Sequence, residues 1–367
     1  MRVAVDYRPA TVAPSSGIAR QVKALEQALR ERDNTEVVLF SEAPLAHPQR
    51  ETALCPPWPS PLDGLQRPQV RLRFERKFLP QALREQRIDL YIATANMGLP
   101  LGHKPAGTRY VLVLHDLFQL TQRNFHRSKL KALAYRLIDG VSIAWSVWRA
   151  DRVWCPSQFS CNEATRLFPW ARAKFRVLYN LVPAFSETPE PLPDGLPTRY
   201  WLVVGTREPR KNMALFLTQW QASRARDPSV PDLVLVGHAS DVPDTLGGLA
   251  GLHWRSGLSD GQLQALYRHA ACLWQPSYAE GFGLPVVEAL SVGTPVAVAR
   301  GSALDEVAPP DAARFDPHNG AQLQALMLSL ANPVGTLDPE SQRAWARQFA
   351  EPAYRLNLDT LLKELTP

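Results

Sequence analysis

Trp201-Leu202-Val203-Val204-Gly205-Thr206-Arg207-Glu208-Pro209-Arg210-Lys211-Asn212-Met213-Ala214-Leu215-Phe216-Leu217 holds the decisive signal. An unbroken apolar run ends in a glycine, as in a strand buried on both faces, and a helical run opens after a short loop. Strand, loop and helix in that order are the repeating unit of a covered parallel sheet. Downstream the unit recurs at Leu233-Val234-Leu235-Val236-Gly237, Cys272-Leu273-Trp274 and Pro295-Val296-Ala297-Val298. Upstream, Val3-Ala4-Val5 precedes Ile18, Val22, Leu25 and Leu29 on one helical face. Then come Val37-Val38-Leu39-Phe40, Leu90-Tyr91-Ile92-Ala93, Tyr110-Val111-Leu112-Val113-Leu114, Val153-Trp154-Cys155 and Val177-Leu178-Tyr179. Between the two series, the proline- and acid-rich stretch 183–197 reads as a linker. The expectation is an α/β chain of two Rossmann-like domains, 1–182 and 199–338, joined by 183–198 and followed by C-terminal helices over 339–367.

With 367 residues, 45% of them apolar and 9% aromatic, the chain has the bulk for two real cores and is not disordered. No apolar run approaches the roughly 20 residues of a membrane-spanning helix. Met1-Arg2-Val3-Ala4-Val5-Asp6 is too short an apolar opening for a signal peptide, so a cytoplasmic location is expected. Cys55, Cys155, Cys161 and Cys272 lack zinc-ligand or C-x-x-C spacing and read as buried thiols in a reducing compartment.

The net charge of +6 is concentrated in the first half. Arg67, Arg71, Arg73, Arg76, Lys77, Arg84 and Arg87 form one run; Arg123, Arg127, Lys129, Lys131 and Arg136 form another. Either run alone is an ordinary solvated helix face. Two in one half point to an anionic surface, lipid headgroups or phosphates. Nucleic acid is not expected, because no zinc-finger spacing, RNP sequence or recognition helix accompanies the charge.

Local signals fix some element ends. Ser259-x-x-Gln262 is a capping box ahead of Leu263, Leu266, Tyr267 and Ala270. Pro285 suits the first turn of a helix that Gly293 ends, and 44–68 reads as an irregular loop.

Loops at strand C-termini are where a doubly wound sheet binds its ligand. The first candidate is residues 6–20, where Pro14-Ser15-Ser16-Gly17 enters a helix; a turn glycine explains Gly17 equally well. The second is Gly205 to Asn212, where Arg207, Arg210 and Lys211 crowd a helix N-terminus. Their repulsion calls for an anion such as a diphosphate, although Glu208 could pair with a neighbouring arginine in a plain solvated turn. The third is Pro276-Ser277-Tyr278-Ala279-Glu280-Gly281-Phe282-Gly283-Leu284-Pro285-Val286-Val287-Glu288. Two carboxylates flank glycines that expose backbone amides, so each could reach a different hydroxyl of one ligand. No third glycine completes a dinucleotide fingerprint.

Glu280 and Glu288 form an E-x7-E motif whose surroundings, from Pro276-Ser277 to Pro295-Val296, closely resemble the donor-site segment of glycosyltransferase family 4, retaining enzymes of GT-B fold. Gly205 to Asn212 resembles that family's phosphate loop, and Leu114-His115-Asp116-Leu117 its N-domain histidine segment. Asp305-Glu306-Val307 and Asp316-Pro317 also fall where such sequences carry similar residues. Thr206 departs from members that carry an arginine beside the glycine, which leaves either Arg207 or Arg210 as the second phosphate ligand. The resemblance implies two domains facing a cleft, with the C-terminal helices crossing back to the N-terminal domain.

For the site, the resemblance implies that Lys211 with Arg207 or Arg210 neutralises a nucleoside diphosphate as the leaving group. Glu288 would take the ribose hydroxyls, and Glu280 with the amides of Phe282, Gly283 and Leu284 the donor sugar. Gly17 would let its loop approach the diphosphate or acceptor, and His115 would orient the reacting sugar. The residues bet on for catalysis are His115, Glu280 and Lys211. No cofactor is expected, the nucleotide sugar being a substrate. No metal is expected either, since no D-x-D triplet occurs and the cations would replace the ion. The expected activity is retaining hexosyl transfer, first from GDP-mannose, to a glycan or polyprenyl-linked acceptor in surface or exopolysaccharide assembly. The expected place is peripheral, at the inner face of the cytoplasmic membrane. A soluble sugar acceptor, or a catalytically silent glycan- or nucleotide-binding subunit, are the alternatives.

Overall fold

The computed structural model describes residues 1–14, 16–41, 45, 53–54, 68–121, 129–185, 190–332 and 338–365, without the side chains of 53, 68–70, 119 and 129–135. Cys55, Arg67, Arg123, Arg127 and most of the stretch 44–68 lie outside the described residues.

Two compact units emerge, Met1–Leu181 with Arg355–Pro367, and Val182–Tyr354. In the first, strands β1 (Arg2–Asp6), β2 (Glu36–Phe40), β3 (Ala53–Leu54), β4 (Leu90–Ala93), β5 (Arg109–Val113), β6 (Arg152–Cys155) and β7 (Phe175–Val177) pair in the order β3-β2-β1-β4-β5-β6-β7. In the second, β8 (Tyr200–Val204), β9 (Asp232–Val236), β10 (Leu252–Arg255), β11 (Cys272–Gln275), β12 (Val296–Ala299) and β13 (Ala313–Phe315) pair in the order β10-β9-β8-β11-β12-β13. Every pairing is parallel. The expected α/β class with two Rossmann-like sheets is what the chain adopts.

Strand order reverses between β1 and β4 and again between β8 and β11, so each sheet has a switch point where adjacent loops diverge. At the second lie the loops after β8, β9 and β11. Bulk holds that sheet in place: the rings of Trp201, Phe216 and Phe315 stand 5.0, 5.6 and 6.0 Å from that of Trp274, and all four are buried.

The capping box forms as read, with Ser259 Oγ accepting from Gln262 N–H and Gln262 Oε1 accepting from Ser259 N–H. Pro285 lies in the first turn of the helix Leu284–Ser291. Strand β7 starts at Phe175, two residues before the apolar run suggests, because Val153 pairs with buried Phe175 while Arg176 turns out to Glu364. Of the expected C-terminal helices, Pro339–Ala346 belongs to the second unit: Trp345 Nε1 donates to Val307 O at 2.8 Å and Arg343 Nη1 to Val292 O at 3.4 Å. The next helix, Glu351–Lys363, passes into the first unit from Arg355. There Glu364 pairs with Arg152 and Arg176, and Asn357 Nδ2 donates to Val177 O at 3.1 Å.

Candidate functional site

In the second unit the site grows from the ends of β8 and β11. After β8, Gly205 N–H donates to Val236 O at 3.0 Å, and a 3-10 turn, Pro209–Lys211, precedes the helix Met213–Arg226. Asn212 takes a left-handed φ of 58°, and its Nδ2 donates to Pro317 O at 2.9 Å, so the side chain anchors the turn instead of capping the helix. That geometry turns Arg210 and Lys211 the same way.

Both meet Glu280. Arg210 Nη1 lies 2.5 Å from Glu280 Oε2 and Lys211 Nζ 2.8 Å from Oε1. Gln275 Nε2 and Ser277 Oγ donate to the same Oε1 at 2.8 and 2.7 Å. Burial alone would raise the Glu280 pKa, but Lys211 and Arg210 outweigh it and hold the carboxyl at about 2. Burial would likewise depress Arg210, yet Glu280 and Glu208 raise it above its ordinary value. Glu280 is therefore held ionised and Arg210 protonated, with Lys211 Nζ on the same carboxylate. Glu208 does pair with Arg210, as the plain-turn reading has it, but the same guanidinium also reaches Glu280 and Ala279 O. Arg207 is exposed. The two arginines left open by the sequence thus differ in placement: Arg210 shares the carboxylate with Lys211, and Arg207 stands in solvent.

Thr206 faces the other way. Its Oγ1 donates to Asp241 Oδ2 at 2.6 Å, and that carboxylate also accepts from His238 N–H at 3.0 Å, closing the turn after β9. A Cβ at Gly237 would stand 1.8 Å from Thr206 Oγ1, so only glycine fits beside it.

Gly283 has a φ of 105°, and a Cβ there would meet Leu304 Cδ2 at 2.6 Å. This bend starts the helix; within its first turn Pro285 carries no N–H and Val286 N–H donates to Gly283 O at 3.0 Å, so the amides at this end that can face an anion are those of Gly283 and Leu284. The Phe282 ring packs edge-on against Phe349 at 5.4 Å, so this residue has only its backbone to offer a ligand. Leu284 opens the helix, and Glu288, one turn in, is buried and accepts from Tyr267 Oη at 2.6 Å. Glu280 and Glu288 share one loop and helix but not one hydrogen-bond network among the bonds described.

In the first unit, His115 follows β5. Its N–H donates to Asn96 Oδ1 and its Nε2 donates to Thr94 O, both at 2.8 Å. Burial lowers its pKa despite the Thr94 bond and nearby Asp116, so the ring is neutral with Nδ1 left as the acceptor. Gly17 is the first residue of the helix Gly17–Arg30, capped by Ser16 Oγ accepting from Ala19 N–H at 3.1 Å.

Several polar residues were not singled out by sequence reasoning. Gln275, Ser277 and Tyr267 hold the two glutamates, and Asp6 chelates Arg8 at 2.8 and 2.7 Å in a fully buried pair under the Phe74 ring. The signal for the last was a charge pair directly at the end of β1; for Tyr267 there was none, since it sits on an otherwise apolar helix face.

Residues 187–345 match the family model of glycosyl transferases group 1, and residues 15–184 that of Glycosyltransferase Family 4. Over 265 residues the chain is 28% identical to the O-antigen chain mannosyltransferase B of Escherichia coli, covering 66% of this chain and 67% of that protein. Its fold is similar to that of sucrose-phosphate synthase from Thermosynechococcus elongatus, with a TM-score of 0.70, 18% identity, and 100% and 99% of the two chains covered. Anabaena HepE, solved with UDP and glucose, is similar at a TM-score of 0.61 and 16% identity over 99% of each chain.

Proposed function

The chain belongs to glycosyltransferase family 4, with the GT-B fold, and from that membership we propose that it transfers mannose with retention from a nucleoside-diphosphate donor, first GDP-mannose, to a glycan or polyprenyl-linked acceptor. The name of the Escherichia coli relative supports the choice of sugar. The observation that carries the reading is the shared carboxylate: Lys211 and Arg210, locked on Glu280, present fixed positive charge beside a helix N-terminus.

A diphosphate placed there gains two cations that need no reorganisation as its charge develops. Lys211 and Arg210 stabilise the departing phosphate. Glu280, kept ionised and held by Gln275 and Ser277, accepts from donor-sugar hydroxyls, and the Phe282, Gly283 and Leu284 amides donate to donor oxygens. Glu288, fixed by Tyr267, accepts from the ribose. The anomeric carbon–phosphate oxygen bond breaks, the acceptor oxygen bonds to that carbon on the same face, and its proton passes to the leaving phosphate. No protein base or metal ion enters this scheme. The work takes place at the inner face of the cytoplasmic membrane, where exposed Arg73, Arg76 and Lys77 meet anionic headgroups.

The test is acceptor-dependent release of nucleoside diphosphate from GDP-, UDP-, ADP- and dTDP-sugars, with product anomeric configuration read by NMR and EDTA in one arm. GDP-mannose turnover with retention in EDTA is expected. Binding without turnover across a broad acceptor panel would make the chain a silent subunit, and loss on chelation restored by magnesium would reject the metal-free scheme.

A further inference from the structure

The helix Lys129–Arg149 buries one side and leaves another bare. Ile143 and Val147 are fully buried, and Gly140 faces Leu120. At about 100° per residue, Leu137, Ile138, Val141, Trp145 and Trp148 fall within an arc of about 100° on the far side. Their exposures are 61, 44, 70, 37 and 56%. Single exposed apolar residues are ordinary; a continuous stripe ending in two indoles 5.1 Å apart marks a contact surface.

Cations flank that stripe. Arg71 Nη2 donates to Ser142 Oγ at 2.9 Å, and the Arg149 guanidinium lies 5.9 and 6.0 Å from the Trp145 and Trp148 rings while donating to Gly102 O at 2.7 Å. Leu101 N–H, beside Gly102, donates to Glu75 O at 3.0 Å. The segment from Arg71 to Lys77 therefore runs along this flank of the helix, with Leu72, Arg73, Arg76 and Lys77 exposed and its one acid, Glu75, buried. Asp139, the helix's one acid, lies outside the stripe's arc.

We infer that the helix Lys129–Arg149 lies in the headgroup layer of an anionic bilayer, with Leu137, Ile138, Val141, Trp145 and Trp148 against the acyl chains. This rests on the reading that the protein works at a membrane, not on the transfer chemistry. Indole rings with an arginine close by suit the boundary between hydrocarbon and headgroups. A second copy fits less well, since a two-fold contact through this face sets Arg73, Arg76, Lys77 and Arg149 against a like-charged patch. No helix among the described residues is long and apolar enough to cross a membrane, which leaves lying in the plane.

The inference separates from purely electrostatic attachment by salt, because screening weakens charge attraction and leaves apolar burial intact. The full chain is floated with phosphatidylcholine vesicles containing phosphatidylglycerol, at low salt and at about 0.5 M sodium chloride. Leu137→Gln/Val141→Gln/Trp148→Gln should cut partitioning by about tenfold or more at both salts. Arg73→Gln/Arg76→Gln/Lys77→Gln should cut it at low salt and leave the high-salt remainder unchanged. Val141→Gln alone, at the most exposed position, gives a partial loss and serves if the triple variant folds poorly by circular dichroism. Wild-type flotation of the stripe variants at high salt, or no wild-type flotation there, overturns the inference. So does conversion of a dimer to a monomer with vesicle binding unaltered, which would assign the stripe to a second copy. Transfer to a short soluble acceptor, unchanged in all variants, reports the chemistry separately.

Discussion

Replacing Glu280 by glutamine keeps the shape of the side chain and removes the charge that Lys211 and Arg210 share. The carboxyl is held at about 2 against an ordinary 4.5, and it is only 6% exposed, so little of the effect is lost to solvent. Holding the carboxyl that far down corresponds to about 3 kcal/mol of folding stability. Because the folded-state pKa is the lower one, that contribution is complete above about 4.5 and fades as pH falls toward about 2. About three quarters of it remains at about pH 4 and about 40% at about pH 3. In Glu280→Gln, Arg210 keeps Glu208, while Lys211 loses the one carboxylate described beside it. The variant should melt about 6–12 °C below wild type at neutral pH, in a unit of this size, with the gap narrowing in acid. A free nucleoside diphosphate, which supplies the missing negative charge, should bind the variant at least as well as wild type and raise its melting temperature by as much or more. Turnover of the intact donor should collapse. Thermal melts from about pH 7 to about pH 3.5, with and without GDP or UDP, read all of this. A melting temperature within about 2 °C of wild type across that range would refute the reasoning about the shared carboxylate.

Lys211→Ala should weaken nucleoside diphosphate far more than nucleoside in calorimetric titration, by about 1.5–3 kcal/mol for a charged hydrogen bond; equal losses would make the lysine structural. Gly237→Ala forces a Cβ onto Thr206 Oγ1 and should destabilise by about 1–3 kcal/mol, and adding Thr206→Ala should recover part of that, a non-additivity readable by denaturant melts. His115 should titrate below 6.5 in an NMR pH series; since the unfolded chain takes up the proton first, its contribution to stability declines as pH drops below about 6.5.

How far the sequence could be read depended on how local each signal was. Ser259, Gln262 and Pro285 act within one turn of themselves, and their helices begin where those residues dictate. Strands β8 and β9 are apolar runs buried between helices and were plain. Strand β10 was missed because it lies at the sheet edge, half-buried, and Leu252-His253-Trp254-Arg255 carries the polar residues an edge tolerates. Strands β3 and β13 are only two and three residues long, too short for any periodicity. The motif around Glu280 was legible as a pattern. Its partners Arg210 and Lys211 are about 70 positions away, and no spacing rule joins them. Only the adjacency of β8 and β11 in the sheet does.

The helix Glu351–Lys363 sets an order of events during synthesis. The first unit is not complete in its own first 181 residues: Arg355–Pro367 belongs to it, Arg355 and Asp359 pair with Glu31 and Arg32, and Leu358, Leu361 and Leu362 are buried in the full chain. A ribosome delivers those leucines only after the whole second unit has left the tunnel. The nascent first unit must therefore wait without its last helix and the ion pairs that helix makes. A chain clipped just before Arg355 returns it to that unfinished state, even though every residue of the charged site around Glu280 is still present.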